Sequence, residues 1–102
     1  MDTNIKNKLI HLKCKYATEG FLIIGFFGSC ARNDDTSQSD IDILYKLNHV
    51  FYKKYPGMKA FGRIYDIKNE MTCEFKRSVD IADKDSLNEI GNKFILPQMI
   101  YV

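Results

Sequence analysis

GFFGSCARNDDTSQSDIDIL, Gly25 to Leu44, joins the end of an apolar run to a Gly-Ser pair, a polar turn and two aspartates spaced i, i+2. The apolar run begins at Phe21 and is bounded by glycines. Seven residues of that kind predict a strand over 21–27, buried on both faces and central to a sheet. Gly28-Ser29 turns the chain, and Ser29-Cys30-Ala31-Arg32 reads as the first turn of a short helix that gives out in residues 33–37. From Asp40 to Tyr45 the pattern alternates, with Ile41, Ile43 and Tyr45 on one face and Asp40, Asp42 and Leu44 on the other. That is a second strand, one face apolar and one carrying charge.

On the N-terminal side, Ile5, Leu9, Leu12 and Tyr16 recur at one helical face, which predicts a helix over 4–18 with Asn4 as its cap and Gly20 as its stop. On the C-terminal side, residues 46–58 hold Asn48, Pro56 and Gly57 among several aromatics and read as a loop or a distorted helical turn. Phe61, Ile64, Met71 and Phe75 predict a long helix over 59–74. Ser78 to Ala82 reads as a short strand, a last helix runs to Lys93 from a cap at Asp83 or Asp85, and Pro97 opens the closing apolar run from Met99 to Val102. No internal repeat or linker interrupts this order. The expectation is an α/β (α+β) single domain, a small mixed β-sheet packed with helices on one or both faces.

Composition sets bounds on function. With 102 residues, 45% hydrophobic and 27% charged, the chain is ordinary globular protein with one modest core. A net charge of +2 and lysines grouped on the first helix (Lys6, Lys8, Lys13, Lys15) read as a solvated face, so no direct nucleic-acid contact is expected. Cys14, Cys30 and Cys73 are odd in number and lack C-x-x-C spacing, which points to reduced, buried thiols. The N-terminus has no continuous apolar h-region and no run is long enough to span a bilayer, so a cytoplasmic protein without membrane contact is expected. His11 and His49 stand too far from thiol or acidic neighbours to suggest a zinc site or a hydrolytic triad. Tyr45, Phe51, Tyr52, Tyr55 and Phe61 form an aromatic concentration that reads as a satellite core in preference to a protein-binding patch.

Asp40 and Asp42, i and i+2 on a strand, project from one face with backbones about 6–7 Å apart. Both carboxylates can bend onto one or two cations, and an oxygen-only set suits Mg²⁺ or Mn²⁺, which keep waters and take substrate phosphates into their shells. Gly28 lets backbone approach a phosphate, and Ser29 offers a hydroxyl beside amides at a helix start. A D-x-D alone is more often a solvated strand face or a cap, and a Gly-Ser turn alone is commonplace. Joined by one turn, the two halves support each other as a site for phosphoryl chemistry.

Gly28-Ser29, ten residues, then Asp40-Ile41-Asp42 resembles the signature of the DNA polymerase beta-like nucleotidyltransferase superfamily, in the form found in minimal nucleotidyltransferases. The resemblance covers nearly the whole chain and implies the nucleotidyltransferase fold. It implies that Gly28 and Ser29 hold the nucleoside triphosphate, that Asp40 and Asp42 bind two Mg²⁺ ions, and that Asp80 supplies a third carboxylate that binds metal and helps activate the attacking hydroxyl. Arg32 matches a basic position that touches phosphate, with a salt bridge to Asp34 or Asp35 as the structural alternative. Asn33 departs from the glycine usual after that arginine, and asparagine tolerates the left-handed conformation next best. The resemblance further implies an antitoxin whose partner is a HEPN-domain toxin, modified with AMP from ATP at a hydroxyl, a tyrosine above all. The chain leaves nothing for a separate acceptor domain, so the acceptor is expected to be small or to bring its own surface, and an oligomer is compatible with this. Two other readings stay open: a binding module that neutralises a toxin by contact alone, and a transferase acting on a small-molecule (antibiotic) hydroxyl.

Overall fold

Ile5, Leu9, Leu12 and Tyr16 lie on one side of helix α1 (Thr3–Ala17), and all four are buried, because their spacing brings them to a single stripe facing the sheet. The computed structural model describes residues 3–28, 40–86, 91, 93 and 95–102. After α1 the order is β1 (Phe21–Phe27), β2 (Ile41–Leu47), helix α2 (His49–Lys54), helix α3 (Met58–Phe75), β3 (Val79–Asp83), a 3₁₀ turn at Lys84–Ser86, a second at Leu96–Gln98 and β4 (Ile100–Tyr101). α1 begins at Thr3, so Asn4 lies within its first turn instead of capping it.

The sheet runs β3-β2-β1-β4, with β1 antiparallel to β2 and β4, and β2 parallel to β3. It is the expected mixed sheet. α1 and α3 lie together against one of its faces, where Ile23, Phe26, Ile41, Ile43, Tyr45 and Val79 meet the helices' Leu9, Tyr16, Ile67 and Met71 in one core. Phe21 stacks on Tyr45 with ring centroids 4.6 Å apart, and the buried Phe51 of α2 closes that end. Each such side chain removed from water contributes about 1.5–3 kcal/mol.

β1 departs from its reading as a strand buried on both faces. Leu22, Ile24 and Phe27 are only half-buried, and the register with β2 slips between Ile23 and Gly25. This bulge at Ile24 keeps Phe21, Ile23 and Phe26 all on the core face although they do not alternate strictly. Gly25 falls on the other face, where a Cβ would strike the Ile100 carbonyl of β4.

Residues 46–58 are more regular than expected. β2 continues to Leu47, and Asn48 caps α2 by accepting from the amides of Val50 (3.0 Å) and Phe51 (3.4 Å). The aromatic concentration divides: Tyr45 and Phe51 are core, whereas Tyr52 and Phe61 are exposed. Cys14 and Cys73 are exposed thiols rather than buried ones, since each lies on the outward side of its helix. The short helix expected at 29–32, with Cys30, lies outside the described residues, as does part of the last expected helix. Asp83 caps the 3₁₀ turn, accepting from the Asp85 amide at 2.9 Å. No described helix is long and apolar enough to cross a membrane.

Arg63 of α3 ties the helices together. Its guanidinium holds Glu19 through two contacts of 2.7 and 2.8 Å and Glu70 at 2.7 Å, while Tyr55 donates to Glu19 (2.6 Å) and Tyr16 to Glu70 (2.8 Å). The Arg63 hydrogen bond, outweighing burial, draws Glu19 down to about 2. Burial would push Glu70 up, but hydrogen bonds from Tyr16 and Arg63 bring it below the ordinary carboxylate range.

Candidate functional site

Alternation along β2 sends Ile41, Ile43 and Tyr45 into the helix-covered core and turns Asp42 to the opposite face of the sheet. Cross-strand register then sets its neighbours. Asp42 pairs with Phe27 of β1 on one side and with Asp80 of β3 on the other, so Phe27, Asp42 and Asp80 form one row across three strands. Register partners share a face, and adjacent strands are about 4.8 Å apart. Two carboxylates from separate strands therefore stand side by side at the entrance of the parallel pair, next to an aromatic ring.

The turn after β1 completes the near side. Gly28 has φ +77°, and a Cβ placed on it would run into the Asp42 carboxylate. Backbone thus lies directly against the charged group, an approach that only glycine permits. Asp40 sits exposed immediately before β2, and the amide of the next residue, Ile41, donates to the Ser78 carbonyl at 3.0 Å. That bond clamps the start of β2 to the start of β3 and so carries Asp40 alongside the row.

Asp80 is exposed, being on the edge strand, and Lys68 of α3 reaches over that edge to within 3.7 Å of it. Nothing in the sequence singled out Lys68, because a helix residue acquires this role only once α3 is packed behind β3. Its ion pair is solvent-accessible and worth at most about 1 kcal/mol. Ser29 and Arg32, the other residues expected to grip phosphate, lie outside the described residues.

The donor set is all oxygen, which fits a hard divalent cation. Among the described residues no group of three or more His, Cys, Asp or Glu side chains is placed to hold a metal ion, so the site here is the Asp42–Asp80 pair with Asp40 beside it. An open pair of carboxylates leaves coordination positions for water and phosphate oxygens, the arrangement Mg²⁺ favours.

Residues 7–101 match the polymerase beta nucleotidyltransferase family. The chain belongs to that family. A candidate protein adenylyltransferase of Methanocaldococcus jannaschii is 33% identical over 92 residues, covering 89% of this chain and 83% of that protein. The solved structure of a candidate minimal nucleotidyltransferase superposes with a TM-score of 0.74 at 20% identity, covering 100% of this chain and 97% of the other. This nucleotidyltransferase accordingly has the minimal nucleotidyltransferase fold, a four-stranded mixed sheet with helices, as the residues predict.

Proposed function

We propose that this nucleotidyltransferase moves AMP from ATP to a hydroxyl of a partner protein, with Mg²⁺, the acceptor being a tyrosine of a HEPN-domain toxin. The reading is carried by one observation: Asp42 and Asp80 are register partners on the sheet face opposite α1 and α3, with the Gly28 backbone against Asp42. Support also comes from the relative named as a candidate protein adenylyltransferase.

In this reaction the acceptor oxygen forms a bond to the α-phosphorus, the α–β anhydride bond breaks, and pyrophosphate leaves. Asp42 and Asp80 would hold Mg²⁺, joined by Asp40 from the start of β2 once the ion is bound, and Mg²⁺ would supply charge neutralisation for the triphosphate. Gly28 brings backbone against Asp42, where phosphate oxygens bound to the same ion would lie. Phe27 is the cross-strand neighbour of Asp42 on the β1 side. Asp80, exposed on the edge strand, takes the proton of the attacking hydroxyl. Lys68 reaches across the edge of β3 to within 3.7 Å of Asp80.

The test is incubation with labelled ATP, Mg²⁺ and the product of the neighbouring gene. Label is expected on the neighbour, removable by Asp42→Ala. An unlabelled neighbour, or labelling that Asp42→Ala leaves unchanged, refutes the proposal.

A further inference from the structure

α3 is apolar on two sides. Ala60, Ile67, Met71 and Phe75 face the core, while Met58, Phe61 and Tyr65 form a second stripe that is 80%, 69% and 65% exposed. Gly62 sits within this outer stripe, at i+4 from Met58, and a Cβ there would have nothing within 4 Å. Glycine is among the poorest residues for a helix interior, and no packing among the described residues asks for it. A second helix crossing close by would.

We infer that the stripe is a homodimer interface, in which α3 crosses α3 of a second copy antiparallel, close to Gly62. Charge self-complementarity selects this occupant. Lys59 and Asp66 lie exposed along one flank of the stripe. A two-fold axis midway between Gly62 and Arg63 brings residue 59 opposite residue 66, forming two symmetric ion pairs, and brings the two Gly62 residues together. The same register sets Phe61 opposite Ile64, and both line one groove of about 520 Å³ with Tyr45, Tyr52 and Ala60. Each copy's Phe61 ring thus packs at the mouth of the groove that the partner's Phe61 and Ile64 line.

The area is also of the right order. Met58, Phe61, Tyr65 and the 54%-exposed Tyr52 offer on the order of 500 Å² between them, as large as the greatest apolar patch on a typical monomer. Their polar flanks bring this toward the roughly 800 Å² per partner of a stable interface. The inference goes beyond the transferase reading and does not rest on it, because the stripe lies on the helix side of the molecule and Asp42 on the other.

Sedimentation equilibrium of the full chain over a micromolar concentration series tests it. The expected mass is twice the chain's 11.9 kDa, falling to 11.9 kDa in Phe61→Lys with an unchanged far-ultraviolet circular dichroism spectrum. Lys59→Asp is expected to weaken the dimer at least about tenfold, and Lys59→Asp with Asp66→Lys to restore it. A monomer at every concentration overturns the inference, even one that captures a different protein through this face. So does a dimer indifferent to Phe61→Lys, or a charge swap that fails to restore association.

Discussion

Gly28 is constrained twice, by its φ of +77° and by the Asp42 carboxylate that occupies the place of a Cβ. Gly57 separates the two effects, since its φ is +61° but a Cβ there meets nothing within 4 Å. Gly57→Ala should therefore cost only backbone strain, about 1–2 kcal/mol, and leave transfer activity intact. Gly28→Ala should cost that and also displace Asp42, lowering transfer on the order of a hundredfold. Urea unfolding and label transfer measured on both variants check this, and equal activity in the two would show that the close approach is inconsequential. Asp42 makes a second prediction. If the row Asp42–Asp80 binds divalent cation, Mn²⁺ at about a hundred times its dissociation constant should stabilise the chain by about 2.7 kcal/mol. Thermal melts with and without Mn²⁺ should show that rise in the parent chain and its loss in Asp42→Ala.

Among the elements, α2 is short and depends on its cap. Asn48 alone accepts from the amides of Val50 and Phe51, and α2 carries the buried Phe51. Asn48→Ala should cost about 1 kcal/mol and lower the melting temperature by roughly 4–8 °C, whereas Asn48→Asp, which keeps the acceptor, should cost far less. Calorimetry of the two variants distinguishes loss of the cap from loss of side-chain bulk. α2 also marks where sequence reasoning stopped short. Ile5 to Tyr16 and Phe61 to Phe75 announce α1 and α3 within a residue or two, because long amphipathic periods are a local signal. Ile41, Ile43 and Tyr45 likewise announce the core face of β2. Asn48 is ambiguous between turn and cap, since its side chain serves either, and only the buried Phe51 following it hints at a helix. The bulge at Ile24 was equally hidden inside a continuous apolar run, although an isolated glycine in a strand, Gly25, is its usual marker.

At the scale of the whole molecule, what the sequence concealed is pairing between distant residues. Asp40 and Asp42 were legible as a pair because they are neighbours on one strand, but that Asp80 stands in register with Asp42 follows from β3 lying parallel to β2. The Arg63 network was invisible for the same reason, its contact with Glu19 joining residues 44 apart. This network links the turn after α1, the chain between α2 and α3, and α3 itself, so it governs how the molecule tolerates acid. Glu19 is 13% exposed and Arg63 19%, which limits solvent screening of their pair. Because the folded protein lowers Glu19 from 4.5 to about 2, the unfolded chain binds its proton first as pH falls. The pair's contribution is complete above about pH 4.5 and is lost progressively as pH drops through 2, amounting to at most about 3 kcal/mol. Glu19→Gln should thus destabilise the protein at pH 7 by up to that amount and flatten its stability profile between pH 4.5 and 2. Urea-unfolding free energies of both proteins across this range decide the matter: parallel profiles would show that Glu19 keeps an ordinary acidity and that Arg63 holds the helices without it.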